Sequence, residues 1–425
     1  MGERVGRAGG GSGYCAEMSD RILRARVVDL DERRIATRRI VIRDGRIAAS
    51  EPCGEVDTDG FLLPGFVDAH VHVESSMMPP SEFARVVVRH GTVATVSDPH
   101  EIANVLGAEG VEFMLRDGAR RNFHFAFGCP SCVPATEFEH AGARLDADAV
   151  AALLDDPRIG YLSEMMNWPG VLGGEPQVLA KIAAARARGK PVDGHAPQLR
   201  GGEARRYAAA GIATDHECTS LDEAREKAQA GMRIAIREGS AARNFEALWP
   251  LLREFPDRCM FCTDDAHPDV LARGHIDRLV ARAVAKGVDL FDVLRAACVV
   301  PVEHYRLPCG RLRAGDAADF VRVADLESFE VLETSIGGEI VAERGRSCWR
   351  PLAVETPNLF RAATFDPSPF ALRAEGDAVE VRVIEPTDGE LVTAEGRARL
   401  VVRGGVVEPD PAQDLALITV VDRYD

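Results

Sequence analysis

The 425-residue chain carries a formal net charge of −16, with 46% apolar and 28% charged residues. That balance describes a globular protein with a sizeable core and excludes intrinsic disorder except at the ends. The acidic excess argues against a nucleic-acid partner, whose phosphates need clustered Lys and Arg, and favours a small molecule or a metal ion.

No apolar run reaches the roughly 18 residues that a membrane span needs, so no membrane partner is expected. Ten cysteines are scattered without the spacing of a secreted disulfide scaffold, which makes the cytoplasm the expected compartment. Residues 1–18, with Gly9-Gly10-Gly11-Ser12-Gly13, lack an apolar signal core and read as a flexible leader. From Arg21 to Leu63 short apolar alternations (Ile22 to Val28, Arg39 to Arg43, Arg46 to Ala49) flank an Asp44-Gly45 turn and predict β-hairpins.

The middle of the chain has another rhythm. Brief apolar runs recur at Phe66 to Val71, Thr92 to Val96, Phe123 to Phe127, Ile159 to Leu162, Pro191 to Val192, Ile212 to Thr214, Arg233 to Ile236 and Cys259 to Cys262. Segments of helical spacing separate most of them, among them Glu175 to Arg188, Glu203 to Ala210 and Leu221 to Ala230. Eight strands alternating with helices predict an α/β fold, a closed (β/α)8 TIM-like barrel. Helices continue at Ile276 to Lys286 and Leu290 to Val299, and strands return at Ala318 to Val323 and Ser335 to Val341. The returning strands are expected to join the first ones in a composite β-sandwich domain built from both flanks of the barrel. The domain division is then 19–63 with 305–350 for the composite domain, 64–304 for the barrel, and 351–425 for a partial C-terminal α+β region. That region holds strands near Ala378 to Ile384 and Ala398 to Val402, and a strong strand signal from Leu415 stops almost at Asp425, as in a chain cut short.

In such a barrel the chemistry lies at the C-terminal ends of the strands. Strand one ends in His70-Val71-His72, and period two puts both imidazoles on one face. Strand four is followed by Glu164, strand five by His195, strand six by Asp215-His216-Glu217 and strand eight by Asp264-Asp265. A single histidine at a strand end is more often structural than ligating. Here several polar strand ends converge, which points to a metal site. Four imidazoles and two carboxylates exceed what one ion takes from protein while keeping a reactive position open. Two divalent ions are therefore expected, bridged by Glu164 and sharing a hydroxide. Nitrogen and oxygen ligands suit Zn, Mn or Fe alike.

Asp98, His100 and Glu101 form a further polar cluster after strand two, able to contact substrate, to hold an additional metal, or simply to brace a loop. Glu74 and Asp265 are expected behind the ligands, orienting them, with Ser75, Ser76 and Met77 lining the pocket or its lid. A rival zinc-deaminase signature pairs His72-Val73-Glu74 with Cys129-Pro130-Ser131-Cys132. Its proline is misplaced and the other strand-end ligands go unexplained, so both cysteines read as packing or loop residues.

These residues resemble the amidohydrolase superfamily and, within it, the bacterial adenine deaminases. The resemblance is carried by Pro64 to Gly107, which contains HVESSM and DPHEIANV, by Glu164-Met165-Met166-Asn167, by Gly194 to Gly201, by Asp215 to Ser220 and by Thr263 to Pro268. It implies that His70 and His72 hold one ion, that His195 and His216 hold the other, and that Glu164 bridges in the place many relatives fill with a carboxylated lysine. Asp264 then ligates the first ion and acts as general base. The implied activity is hydrolysis of adenine to hypoxanthine and ammonia, with a purine as the small-molecule partner. The alternatives are an amidohydrolase of another aminopurine or a cyclic amide, or an inactive shortened homologue. Homo-oligomer formation is left open.

Overall fold

The computed structural model describes residues 20–136, 138–360, 366, 368–390 and 392–424. The leader expected at 1–18 lies outside the described residues. Strands β1 (Arg21–Asp29), β2 (Arg34–Arg43), β3 (Arg46–Pro52) and β4 (Phe61–Pro64) open the chain. Asp44 and Gly45 turn β2 into β3 with φ of 50° and 75°, the left-handed pair that suits the twist of a two-residue hairpin.

Eight parallel strands follow: β5 (Phe66–Val71), β6 (Thr92–Ser97), β7 (His124–Cys129), β8 (Ile159–Met165), β9 (Val192–Gly194), β10 (Thr214–Asp215), β11 (Arg233–Arg237) and β12 (Cys259–Cys262). They pair in chain order as β5 to β9 and as β10 to β12. Two sets of bonds close the ring. The Ala213 N–H donates to the Val192 carbonyl at 2.8 Å, while the Asp264 N–H donates to His70 at 2.9 Å and the His72 N–H to Asp264 at 3.1 Å. The expected TIM-like barrel is the observed fold.

The chain then supplies β13 (Phe320–Val323), β14 (Val331–Ile336), β15 (Glu339–Glu343) and β16 (Arg346–Ser347). The two flanks combine in one eight-stranded ladder ordered β16-β15-β14-β13-β4-β1-β2-β3, with β13 antiparallel to β4. The single strand expected from Ser335 to Val341 is instead a hairpin. Gly337 and Gly338 take φ of 55° and 78°, which reverses the chain between Ile336 and Glu339.

After Pro351 the described residues contain β17 (Ala378–Glu385), β18 (Ala394–Arg403) and β19 (Val406–Val407) in one antiparallel sheet. Of the helical part expected for this region, the described residues hold only the short 3-10 turns Ser368–Phe370 and Pro411–Gln413, and prolines such as Pro357 and Pro386, which lack an N–H donor, oppose longer helices. The terminal strand expected from Leu415 also fails to form. Ile418 and Val420 are 80% and 92% exposed, and among the described residues the segment pairs with no strand beyond an isolated bridge from Leu415 to Asp410. Alternation makes a strand possible, but only a neighbouring ladder makes it stable. No helix among the described residues is long and apolar enough to cross a membrane.

Candidate active site

On β5 the residues Val67, Ala69 and Val71 face the surrounding helices and are fully buried, while Asp68, His70 and His72 take the alternate face. Asp68 lies deepest. It accepts from the Thr263 N–H at 3.1 Å and faces His275 Nε2 at 3.0 Å, which ties the first strand to the eighth below the histidines. His70 and His72 bring their Nε2 atoms to 3.1 Å of each other. Both face Asp264 Oδ1, at 3.5 Å and 3.1 Å. Asp264 holds φ at 56°, a left-handed conformation that aspartate tolerates better than bulky residues and that turns its carboxylate inward.

Glu164, next to last in β8, is central. One oxygen lies 2.9 Å from His195 Nδ1 and 3.1 Å from His216 Nε2, and the other 3.5 Å from His72 Nε2 and 3.4 Å from His100 Nδ1. The His195 N–H donates to the Tyr207 hydroxyl at 3.1 Å, and that hydroxyl donates to the Met165 carbonyl at 2.8 Å, linking adjacent strand ends. His70, His72, Glu164, His216 and Asp264 are only 2 to 4% exposed, so nearly all the charge here must be answered from within the protein.

Potential ligand atoms converge in three overlapping groups: His70, His216 and Asp264; Glu164, His195 and His216; and His72, Asp98, His100 and Glu164. The donor chemistry fits divalent ions. Burial opposes the charged forms of His72 and His216, yet Glu101 beside His72 and Glu164 beside His216 carry both imidazoles well above the ordinary range. Burial likewise opposes ionisation of Glu164 and Asp264, but their imidazole partners hold both carboxyls well below theirs. Carboxylates that draw protons onto buried imidazoles are equally able to draw a metal cation among them.

The cluster after β6 joins this array. His100 Nδ1 lies 3.0 Å from Asp98 Oδ2, and Glu101 contacts His100 Nε2 at 3.2 Å and His72 Nδ1 at 3.4 Å. Asp98 Oδ1 is buried without a hydrogen-bond partner. The two residues expected behind the ligands stand farther back. Glu74 Oε1 accepts the Ile102 N–H at 3.2 Å, and burial with the Glu101 charge raises its pKa to about 8. Asp265 accepts from the Ser75 hydroxyl. Among the described residues neither forms an ion pair with an imidazole, and each holds a loop instead. Ser76 is buried and donates to the Val73 carbonyl, so it does not line a pocket, whereas Met77 is 78% exposed. Cys129 and Cys132 lie outside the three groups.

A search for ligands overlooks Arg237, since a guanidinium cannot bind a metal. It ends β11, and that place at the C-terminal end of the seventh strand is the signal that could have found it. Its Nη1 donates to Asp264 Oδ2 at 2.6 Å and also contacts Glu217 Oε1, while Nη2 donates to Glu217 Oε2 at 3.0 Å. Glu217 thereby keeps a pKa of about 2 against its burial, helped by His216 and Arg237. Lys227 was equally hidden, on the helix Leu221–Gln229. Fully buried, it donates to the Ala196 carbonyl at 2.6 Å, Glu223 at 2.7 Å and Asp215 at 3.1 Å. Asp215 in turn accepts from the N–H groups of Ala196 and Glu217, so one cation binds the loops that carry His195 and His216.

Two cavities flank the imidazole–carboxylate cluster. One of about 820 Å³ is lined by His195, Glu217, Arg237 and Asn244 and is covered by Glu390 and Val392 of the C-terminal region. The other, of about 620 Å³, reaches His100 and Glu101 and is bounded by Phe360 and Arg423. A sequence model of the amidohydrolase family matches residues 61–341. The chain belongs to that family.

Within the amidohydrolases it groups with the adenine deaminases. The adenine deaminase of Salinibacter ruber (strain DSM 13855 / M31) is 58% identical over 399 residues, 94% of this chain and 73% of the relative. That of Sulfurovum sp. (strain NBC37-1) is 52% identical over 405 residues, 95% of this chain and 74% of the relative. Among solved structures, a beta-aspartyl dipeptidase from Fervidobacterium islandicum AW-1 in complex with beta-Asp-Leu dipeptide superposes with a TM-score of 0.58 at 16% identity. The match covers 79% of this chain and 100% of that one, a likeness of fold.

Proposed function

We propose that this amidohydrolase deaminates adenine, consuming water and releasing hypoxanthine and ammonia. The observation that carries the proposal is the convergence of four imidazoles with Glu164 and Asp264 beside a cavity of about 820 Å³, in a chain 58% identical to an adenine deaminase. His70, His72 and Asp264 would hold one divalent ion, His195 and His216 a second, and Glu164 would bridge them. Zinc, manganese or iron held there would lower the pKa of bound water toward about 7 and supply hydroxide at neutral pH.

The side chains do the rest. Asp264 accepts the proton of the water that adds to C6 and returns it to the ring nitrogen or to the departing amine, so that the C–N bond breaks with ammonia as leaving group. Arg237 occupies Asp264 Oδ2 and leaves Oδ1 toward the imidazoles, fixing which face of the carboxylate meets the reactants. Asp98, His100 and Glu101 serve the purine or an additional ion, and Glu74 and Asp265 brace the loops around them.

The proposed division of the chain keeps the composite β domain at 19–63 and 305–350, the barrel at 64–304 and a C-terminal region at 351–425. The cross-flank ladder supports it. A cytoplasmic location belongs to the same reading.

Ammonia release from adenine by the metal-loaded chain is the test, with Glu164→Gln and Asp264→Asn as controls. Turnover that collapses in both variants is expected. Equal rates in wild type and both variants would overturn the site, and ring opening of a cyclic amide without ammonia from adenine would replace the reaction by its nearest alternative.

A further inference from the structure

A separate set of metal-binding side chains lies at the other end of the barrel. His124 begins β7, whose far end is Cys129 beside the active-site loops, so His124 stands at the N-terminal rim. Cys309 lies on the connection between the last helix, Val300–Tyr305, and β13, and Asp319 immediately precedes β13. An imidazole nitrogen, the thiol sulfur and a carboxylate oxygen of these three residues lie within 4.8 Å of one another.

The plain reading is a brace. Asp319 accepts from the Gly337 N–H at 2.7 Å and the Gly310 N–H at 3.2 Å, and a neutral His124 can donate to it across 3.1 Å. Three observations go further. Asp319 is 0% exposed, and among the described residues His124 is the one ionisable base paired with it, whereas a buried carboxylate calls for a cation. Cys309 is a free thiol that packs against the barrel core, and it converges on the pair without a hydrogen bond to any other described side chain. The separation also fits: two ligands bound at about 2.0–2.1 Å on a tetrahedral ion stand roughly 3.3 Å apart, close to the 3.1 Å between His124 Nε2 and Asp319 Oδ2.

We propose that His124, Cys309 and Asp319 bind one divalent transition-metal ion of the zinc class, with solvent completing the tetrahedron. The His124 side chain is 21% exposed, which leaves a solvent-facing side for that fourth ligand. Binding transfers the thiol proton to solvent, and the resulting thiolate and carboxylate balance the two positive charges. The ion clamps the barrel strand β7 to the composite sheet through β13, far from the chemistry. Its thiolate selects zinc or cobalt over manganese, unlike the nitrogen and oxygen donors of the active site.

Cobalt(II) is the probe, because a thiolate ligand produces a near-ultraviolet charge-transfer band that nitrogen and oxygen ligands do not, and none of the proposed active-site ligands is a cysteine. The full chain is stripped with a chelator, reloaded with cobalt and examined by absorption and metal analysis. The band should be present in the wild type and in Cys132→Ser, and absent in Cys309→Ser and His124→Ala, each of which should bind one ion fewer per chain. Adenine turnover by Cys309→Ser should stay within about two-fold of wild type, because the clamp supplies no group to the reaction. A cobalt-loaded, folded wild type without the band would overturn the proposal whatever the variants do. So would a band that survives Cys309→Ser or vanishes in Cys132→Ser.

Discussion

The barrel and the C-terminal sheet are held by different means. Every residue of β5 and β6 is buried, and the barrel's apolar clusters run continuously from the strands into the surrounding helices. Among the described residues the C-terminal sheet buries only Leu400, Val402 and Val407 as its own core, while Ile384 is 61% and Val401 49% exposed. It is fastened to the barrel by polar contacts: Arg243 to Asp388 at 2.6 Å, the Arg243 N–H to the Gly389 carbonyl at 2.9 Å, and His140 with Asp422. Hydrophobic burial scales with area, and exposed ion pairs contribute little, so the barrel can carry strained and charged machinery that the C-terminal sheet could not. Both cavities beside the imidazole–carboxylate cluster nevertheless have walls from each region.

The comparison can be broken from the barrel side first. Replacing Asp264 by Asn removes the proposed proton carrier and should lower kcat roughly a hundred- to ten-thousand-fold, read as ammonia release at matched metal content. Lys227→Met leaves Asp215 and Glu223 buried without their cation. A loss of about 3–5 kcal/mol in urea unfolding is expected, with weaker metal retention in dialysis because both ligand loops loosen. Unaltered stability would mean that these carboxylates take up protons instead.

On the C-terminal side the effect should be smaller and of another kind. Arg243→Ala should cost less than about 1 kcal/mol and leave barrel unfolding in place, yet speed proteolytic cutting between 386 and 392. Equal cutting rates would show that the sheet is seated by other contacts.

An effect absent at neutral pH and felt only in acid concerns His304, whose pKa is pushed down to about 3 by burial and by Arg233 and Arg306. The unfolded chain binds this proton near 6.5 and the folded chain does not. Stability from this group is therefore complete above about 6.5 and declines as the pH falls toward 3. His304→Gln should flatten that part of the Tm–pH curve, and a curve parallel to wild type would refute the assignment.

Much of this was legible in sequence. The β5 alternation predicts that His70 and His72 share a face, and the strand ends mark Glu164, His195, His216 and Asp264. Period two and the βα rhythm are local properties, readable from residues close together in the chain. Arg237 and Lys227 escaped because their roles depend on partners brought near only by closure, Asp264 for one and Asp215 with the Ala196 carbonyl for the other. Ser335 to Val341 misled because its isoleucines and valine read as one strand, while the Gly337-Gly338 pair between them makes the turn.

By itself, the sequence determined the alternation of strands and helices, the side on which each polar strand-end residue projects, and the family resemblance carried by HVESSM, DPHEIANV and EMMN. Tertiary structure alone decided that β12 closes on β5, which brings Asp264 to His70 and His72 across nearly two hundred residues, and that the segment after Leu415 finds no ladder. The reason is physical: side-chain direction is set by local backbone geometry, whereas pairing and charge compensation depend on which distant groups the fold makes neighbours.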